Sequence, residues 1–229
     1  MSHHHHHDPH HHSSEHNHDY SKANAEHFDK ESKNQEMIKV GTELAQLSAP
    51  YILKYYKFDK ETTEVLDFAA GWGLVSKQII PYAKSILGVD VSQGMVDLYN
   101  ETGKKEDFSG MKAVCADLKG EEGELDGQKF NVIICNMAYH HFEDVGKMTK
   151  ILAGFLKPGG KLIVSDFRAG GGEVRKDFAH VIAAHGMAGD VIRDAFAGAG
   201  LTDIVIEDAF DYTLFERVLH IFFTVGSKA

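Results

Sequence analysis

Apolar residues recur along the chain with two different spacings, and the change between them divides the sequence. From Ser21 to Asp59 they follow one another at three and four residues, as in "NQEMIKVGTELAQLSAPYILKYY", which is typical of amphipathic helices. Beyond residue 60, short and nearly continuous apolar runs alternate with segments of helical spacing. The pattern therefore predicts a helical N-terminal segment followed by alternating strands and helices.

Five apolar runs are predicted to be parallel strands. The runs read "EVLDFAA", "SILGVDV", "MKAVCADL", "KFNVIICNM" and "KLIVSDF"; the predicted helices read "LVSKQIIPYA", "QGMVDLYNETGKK" and "DVGKMTKILAGFL", the last closed by a "KPGG" turn. Two later strand-like runs, "TDIVIEDAF" and "RVLHIFFTVGS", have no predicted helix between them. The predicted fold is α/β: a doubly wound, mostly parallel seven-stranded sheet with a C-terminal antiparallel hairpin.

Composition bounds the domain count and the kind of ligand. The chain has 229 residues, of which 43% are apolar or aromatic, and this is enough for one sizeable core. We predict a single domain over residues 21–229, preceded by a tail over residues 1–20. The formal net charge of -10 disfavours nucleic acid as the main ligand. No apolar run reaches the length of a membrane helix or resembles a secretion signal, so no membrane contact is expected.

The two cysteines, Cys115 and Cys135, both lie in apolar runs. Their position favours two buried free thiols over a disulfide or a metal pair, and therefore a reducing compartment. The expected location is the cytoplasm, with the nucleus as the alternative. The acidic stretch "GEEGELDG" lacks the spacing of metal ligands, so it is predicted to be a solvated loop and no metal site is expected.

The tail "MSHHHHHDPHHHSSEHNHD" is rich in histidine and too polar to bury a core, so it is predicted to be disordered. Its composition is compatible with a purification tag, a native metal-binding tract or an inert segment.

Carboxylates stand at the ends of three successive predicted parallel strands. Asp67 ends the first, Asp90 the second and Asp117 the third. The carboxyl ends of parallel strands meet at one edge of a sheet, where ligands of such folds bind. Gly71 and Gly73, after the first strand, allow backbone amides to approach a ligand closely. A nucleotide-like cofactor is therefore expected at this edge.

The details of the glycine loop distinguish between cofactors. The third glycine of a dinucleotide fingerprint is replaced by Ser76, and no Lys-Ser or Lys-Thr follows for a phosphate loop. Asp67 would repel a phosphate but attract an amino group, and Asp90 stands where a carboxylate accepts hydrogen bonds from ribose hydroxyls. With Asp117 in reach of an adenine amino group, the acids describe an adenosine ligand with a cationic, phosphate-free tail, and S-adenosylmethionine fits that description.

Residues 65–166 resemble the class I S-adenosylmethionine-dependent methyltransferases. The motifs that carry the resemblance are "VLDFAAGWG", "LGVDVSQGMV", "CADL", "FNVIICNMAYHHF" and "LKPGGKLIVSD". The resemblance implies a Rossmann-like methyltransferase fold and methyl transfer from S-adenosylmethionine to an acceptor. It implies a cofactor site formed by Asp67, Ala69, Gly71, Gly73, Asp90, Val91, Met95, Ala116, Asp117, Leu118, Asn136 and Met137.

Two residues depart from the family pattern. Ala69 stands where many members have glycine, which is tolerable if the backbone there stays extended. Trp72 stands where a small residue is commoner; stacking near the cofactor and a packing role are both open.

The loop after the fourth strand holds the candidates for chemistry. Methyl transfer needs alignment of the acceptor, and a base only if the acceptor carries a proton. His140 and His141 follow the strand end and have side chains suited to proton transfer near neutral pH. Either one faces the acceptor as base or orienting donor, or the pair packs the start of the next helix. Tyr139 is a weaker substrate-side candidate.

Two segments are predicted to cover the acceptor: an N-terminal helical cap over residues 21–60 and an insertion over residues 167–190. Phe28, Tyr51 and Tyr55 supply aromatic surface in the cap. In the insertion, Arg168 and His185 are substrate-side candidates, while His180, and alternatively His185, are explained as helix-end or packing residues.

The leading functional hypothesis is a methyltransferase that acts on a small-molecule acceptor. The alternative is a protein methyltransferase, or a regulatory module that uses the methyltransferase fold to bind a protein partner. A nicotinamide-dependent oxidoreductase is disfavoured by Asp67 and the missing third glycine.

Overall fold

The computed structural model describes residues 20–169, 187–214 and 217–229. The predictions made for the histidine-rich tail, for His180 and for His185 lie outside these residues. Within the described residues, no helix is both long and apolar enough to cross a bilayer.

A seven-stranded mixed sheet forms the centre of the domain. Its strands are β1 Glu64–Phe68, β2 Ser85–Asp90, β3 Met111–Cys115, β4 Phe130–Asn136, β5 Leu156–Phe167, β6 Leu201–Leu214 and β7 Arg217–Lys228. Their order across the sheet is β3-β2-β1-β4-β5-β7-β6. β1 to β5 are parallel, and β7 runs antiparallel to both β5 and β6. The predicted doubly wound sheet with a terminal antiparallel hairpin is confirmed.

Six α-helices flank the sheet in the described part of the chain. They are α1 Tyr20–Glu31, α2 Gln35–Tyr55, α3 Leu74–Ile79, α4 Gln93–Lys105, α5 Val145–Gly154 and α6 Gly189–Gly198. The helical N-terminal segment is thus two helices. α1 ends at Glu31, and Asn34 caps α2 by accepting a hydrogen bond from the Met37 amide.

Alternate residues of each buried strand enter two separate cores. On β1, Val65 packs with α2, α3 and α4 on one face, and Leu66 packs with α5 and α6 on the other. Because both faces are covered, the parallel strands are continuously apolar rather than alternating. The result is a three-layer α/β/α domain whose polar side chains are displaced to the strand ends.

Three expectations about local structure need correction. α6 lies between β5 and β6, where no helix was predicted; its buried Ile192 and Phe196, four residues apart, carry the helical signal that was missed. The "KPGG" turn lies inside β5 as an irregularity, because the pairing of β5 with β4 shifts register between Phe130 and Val132. Cys115 is exposed, since β3 is an edge strand, whereas Cys135 is buried in β4 as expected.

Candidate active site

A large cavity of about 1430 Å³ opens at the carboxyl ends of the parallel strands. It lies beside the β1–β4 pair, where the strand order reverses and where ligands of open α/β sheets bind. Eleven of the twelve residues predicted for the cofactor line it: Asp67, Ala69, Gly71, Asp90, Val91, Met95, Ala116, Asp117, Leu118, Asn136 and Met137. The fold thus brings together residues that span about seventy positions of the sequence, because the carboxyl ends of the four strands β1 to β4 share one edge of the sheet.

Asp90 is held at the centre of this edge by backbone amides. Its Oδ2 accepts a hydrogen bond from the Gly71 amide at 2.8 Å, and its Oδ1 accepts one from the Ser92 amide at 2.9 Å. Burial raises the pKa of Asp90, and these amide hydrogen bonds oppose the rise. A carboxylate has about four acceptor positions, so Asp90 retains capacity for the hydroxyl groups of a ligand.

Asp67 is buried more deeply in the domain than Asp90. Only 2% of it is exposed, and its Oδ2 accepts a hydrogen bond from Ser76 Oγ at 2.7 Å. Ser76 Oγ in turn accepts one from the Tyr99 hydroxyl at 2.8 Å. Burial raises the pKa of Asp67 to about 7, with the negative charge of Asp90 as a smaller contribution. The residue that replaces the third glycine of a dinucleotide loop therefore serves to hold Asp67.

The glycine loop uses left-handed backbone at three positions. Ala69 has φ +55°, Gly71 φ +52° and Gly73 φ +72°. The condition under which alanine is tolerable at position 69, an extended backbone, is not met: the chain turns away from β1 immediately after Phe68, and Ala69 has positive φ. Gly73 does not line the cavity, because it faces the core, where an added Cβ would lie 2.5 Å from the Tyr99 ring.

Helix α1 covers the cavity, and hydrogen bonds connect it and the residue that follows it to the loops after β1 and β2. The carboxylate of Asp29 accepts hydrogen bonds from Ser92 Oγ at 2.5 Å and from the Gly94 amide at 3.0 Å. These bonds hold the pKa of Asp29 below its ordinary value. On the other side, the indole Nε1 of Trp72 donates to the Ser32 carbonyl at 2.7 Å. Trp72 thus anchors the cap, while its side chain also lines the cavity.

The two histidines after β4 both line the cavity but have different environments. His140 is 6% exposed, and its Nδ1 lies 2.8 Å from Oδ1 of Asp166, a fully buried residue near the end of β5. His141 is partly buried, and its ring meets Phe28 of α1 edge to face with centroids 5.2 Å apart. His141 therefore packs against the cap, and His140 is an imidazole oriented by a carboxylate, while a role of either one toward an acceptor stays a prediction.

Two further substrate-side candidates, Tyr139 and Arg168, do not line this cavity. Tyr139 is fully buried, with its hydroxyl 3.2 Å from Thr149 Oγ1 of α5. Arg168 lines a separate shallow pocket, donates from Nε to Asp208 Oδ1 at 2.7 Å and stacks over the Phe222 ring. Both residues follow strand ends, but their side chains turn into α5 and toward the terminal hairpin.

Acidic residues outnumber basic residues in the lining of the cavity. Six acidic residues and two lysines line it, and one of those lysines, Lys119, is paired with Asp117 at 2.6 Å. Such a lining favours a cation over a phosphate-bearing ligand. No group of His, Cys, Asp and Glu in the described residues has the arrangement of a metal site.

Three residues of the site were missed in the sequence. Asp166 follows the same rule as the other acids, since it stands near the carboxyl end of a parallel strand, and "VSDF" carries that signal. Asp29 and Asn24 lie on α1, and only the packing of α1 across the sheet edge brings them to the site.

Residues 65–160 match the family model described as a methyltransferase domain. An uncharacterized methyltransferase of Schizosaccharomyces pombe is 43% identical over 118 residues, which are 49% of this chain and 41% of that protein. The ubiquinone biosynthesis O-methyltransferase of Coxiella burnetii is 30% identical over 118 residues, 51% of this chain and 49% of that protein. The match thus spans less than half the length of either relative.

The crystal structure of magnesium protoporphyrin IX methyltransferase from Synechocystis, with S-adenosylhomocysteine bound, has a TM-score of 0.68 against this chain. The alignment covers 92% of this chain and 100% of that one at 18% identity, which shows a shared fold. The architecture is that of a Rossmann-like methyltransferase domain. The family model and the relatives confirm the resemblance of residues 65–166 to the class I S-adenosylmethionine-dependent methyltransferases.

Proposed function

We propose that this chain binds S-adenosylmethionine and transfers its methyl group to a small-molecule acceptor. The observation that carries the proposal is an acid-lined cavity at the strand-order reversal, with a carboxylate-bound histidine in its wall. When bound, the cofactor supplies an electrophilic methyl group on a positively charged sulfur.

The residues present fit such a cofactor. Asp90 is fixed by two amides and keeps acceptor capacity for ribose hydroxyls. Val91, Met95 and Leu118 add apolar surface next to Asp90 and Asp117, where a planar base would be held. The excess of carboxylates stabilises a cationic ligand, and the loss of that charge after methyl transfer weakens the attraction and favours product release.

His140 is the residue we assign to the acceptor's proton. The Asp166 carboxylate binds Nδ1, which leaves Nε2 as the nitrogen that takes a proton from an O–H or N–H group of the acceptor. As methyl transfer forms the new bond to the acceptor, that proton moves to Nε2, and Asp166 stabilises the resulting imidazolium. For an acceptor without a proton, the same pair would only position the substrate.

The enclosure of the cavity favours a small acceptor over a protein. α1 and α2 contribute Asn24, Phe28, Met37, Val40 and Leu44 to its lining, so the acceptor is covered by the cap. A protein acceptor would have to insert a side chain beneath these helices.

Calorimetric titration with S-adenosylmethionine and S-adenosylhomocysteine tests the cofactor assignment. We expect Asp90→Asn to weaken binding of both by at least about 10-fold, since a charge-assisted hydrogen bond is lost. Asp97→Asn, an exposed carboxylate of α4 outside the cavity lining, is the matched control. Unchanged binding in Asp90→Asn would contradict the site, and absence of binding by the unaltered chain would contradict the function.

The acceptor can be identified by incubating the chain with methyl-labelled cofactor and a fractionated cell extract. We expect the label in a low-molecular-weight species, and the Asp166→Asn variant to leave it in the cofactor. Label recovered only in protein would support the alternative acceptor class.

A further inference from the structure

The cavity is larger than the cofactor requires. Sites that enclose a ligand of the cofactor's size usually have a volume of about 300–1,000 Å³. The cavity of about 1430 Å³ therefore leaves roughly 400 Å³ or more for the acceptor. Since a cavity of about 150 Å³ already holds benzene, this space accommodates an aromatic ring together with a sizeable substituent.

One wall of the cavity is an apolar stripe on helix α2. Met37, Val40 and Leu44 line the cavity, and their spacing of three and four residues places them on one face of the helix. Lys39 and Glu43 of the same helix are exposed and lie outside the lining. Met37 and Val40 are only half-buried, so apolar surface is open to a ligand at this wall.

A second wall is the end of the β6–β7 hairpin, which extends past the edge of the parallel strands. The pairing of β7 with β5 ends at Ile221 and Phe167, whereas its pairing with β6 continues to Arg217 and Leu214. The four additional residues of β7 extend by about 13 Å at the usual rise of a strand. Leu214 and Leu219 lie on one face of this extension, and both line the cavity.

The hairpin wall is continuous with the apolar surface next to His140. Leu214 and Leu219 belong to the same apolar cluster as Phe167, and the Phe167 ring lies 4.7 Å from the His140 ring between centroids. Val218 points to the other face of β7, since it is 44% exposed and Leu219 only 7%. The apolar face of the hairpin is therefore the one directed to the cavity.

We propose that the methyl acceptor carries an extended aliphatic substituent, which lies on Val40, Leu44, Leu214 and Leu219 while the reacting atom lies at His140. This assignment rests on the proposed function, because it takes the site at His140 as the place of methyl transfer. These four side chains offer no hydrogen-bond partner, so a polar substituent loses its hydration there without compensation. Each methylene group buried against them instead stabilises the complex.

A homologous series of phenols tests the proposal. Phenol, 4-propylphenol and 4-hexylphenol are titrated, below the concentrations at which they self-associate, into the full protein chain saturated with S-adenosylhomocysteine. We expect the affinity to rise by about 2- to 4-fold for each added methylene group, as burial of that group predicts. The compound 6-(4-hydroxyphenyl)hexanoate has a substituent of the same length that ends in a carboxylate, and it should lose most of the gain.

Matched variants show where the substituent lies. Val40→Thr keeps the size of a half-buried side chain and adds a hydroxyl, so it should fold and lower the ratio of the hexylphenol and phenol affinities by at least about 3-fold. Val218→Thr makes the same change outside the lining and should keep the ratio. Leu44→Ala should also lower it, whereas Leu47→Ala, at a 43% exposed position of α2, should not. None of the four should change the affinity for S-adenosylhomocysteine.

Affinities that do not rise with the length of the substituent would overturn the proposal, and so would an equal gain from the carboxylate-ended compound. A gain of the same size in Val40→Thr, Leu44→Ala and the unaltered protein would also overturn it, because the substituent would then lie elsewhere. If S-adenosylhomocysteine binds and no phenol does, the proposal fails while the cofactor assignment stands. If S-adenosylhomocysteine itself does not bind, the proposed function fails, and this inference fails with it.

Discussion

Asp166 binds His140 twice: its Oδ1 lies 2.8 Å from the ring Nδ1, and its Oδ2 accepts the backbone N–H of His140 at 3.0 Å. One buried carboxylate therefore fixes both the main chain and the ring of the residue that faces the cavity. The pair joins the ends of two adjacent parallel strands, β4 and β5, so its geometry is set by the sheet itself.

Replacement of Asp166 by Asn should slow methyl transfer to a proton-bearing acceptor by about 100-fold, the usual contribution of a positioned general base. The amide keeps the shape but cannot stabilise an imidazolium, so the defect should appear in kcat and not in cofactor affinity. His220 and Asp211 supply a matched control, since their Nδ1–Oδ1 contact of 2.7 Å is exposed on the terminal hairpin. Asp211→Asn should leave the rate unaltered. A rate in Asp166→Asn equal to that of the unaltered chain would contradict the assignment of His140 to proton transfer.

The buried carboxyl of Asp67 should make the stability of the domain depend on pH. Burial raises its pKa to about 7, so between about pH 4 and pH 7 the folded state holds a proton that the unfolded state has released. The free energy of unfolding should therefore fall as pH rises through this window, by at most about 1.4 kcal/mol per pH unit from this group. Urea unfolding at several pH values measures the slope.

Asp67→Asn should flatten that dependence, because the amide cannot titrate and can still accept the hydrogen bond from Ser76. Asp97→Asn, exposed on α4, should leave the slope as it is. A slope of the same size in Asp67→Asn would show that other groups carry it.

Ala69→Gly should stabilise the domain by about 1 kcal/mol, because an L-residue with a side chain is disfavoured in left-handed backbone. Ala70, its neighbour, is not among the residues with positive φ, so Ala70→Gly should instead destabilise through the entropy of the unfolded chain. Thermal midpoints of the two variants should move in opposite directions. A lower midpoint for Ala69→Gly would contradict the left-handed assignment.

Asp29→Ala should loosen helix α1 from the loop that follows β2. Ser92 and Gly94 lose their acceptor, and the remaining anchor on this side of the cap is the Trp72–Ser32 hydrogen bond. Trp72 is the single tryptophan of the chain, so its emission reports the change directly. We expect a red shift and faster proteolysis within α1, with no such effect from Glu26→Gln on the exposed side of the same helix.

The same contact predicts a pH dependence of the cap. The pKa of Asp29 is lowered by its hydrogen bonds, so the stabilisation is present above the unfolded pKa and lost as pH falls through the folded one. Acidification should therefore reproduce the emission change of Asp29→Ala in the unaltered chain and have little further effect on the variant. An emission that stays constant from neutral to acid pH would contradict this role.

Several parts of the site could be read from local pattern. Short apolar runs followed by Asp67, Asp90 and Asp117 gave the strand ends, and all three acids do line one cavity. Other positions could not be assigned, because the direction of a side chain after a strand end depends on the local backbone angles. Gly73 faces the Tyr99 ring, and Tyr139 turns into the core, although both lie one or a few residues from cavity-lining neighbours.

The sequence by itself determined the succession of the seven strands and of the helices other than α6, the mostly parallel sheet and the edge at which a nucleoside cofactor would bind, because these follow from the period of apolar residues and from where each run stops. Only the tertiary structure decided which polar groups meet. Asn24 and His141 are 117 positions apart, and Asp166 reaches His140 across 26, so these contacts depend on how α1 and β5 pack rather than on any local pattern. The physical reason is that hydrogen-bond partners in a doubly wound fold are chosen by adjacency in the sheet and its cover, and spacing along the chain does not encode that adjacency.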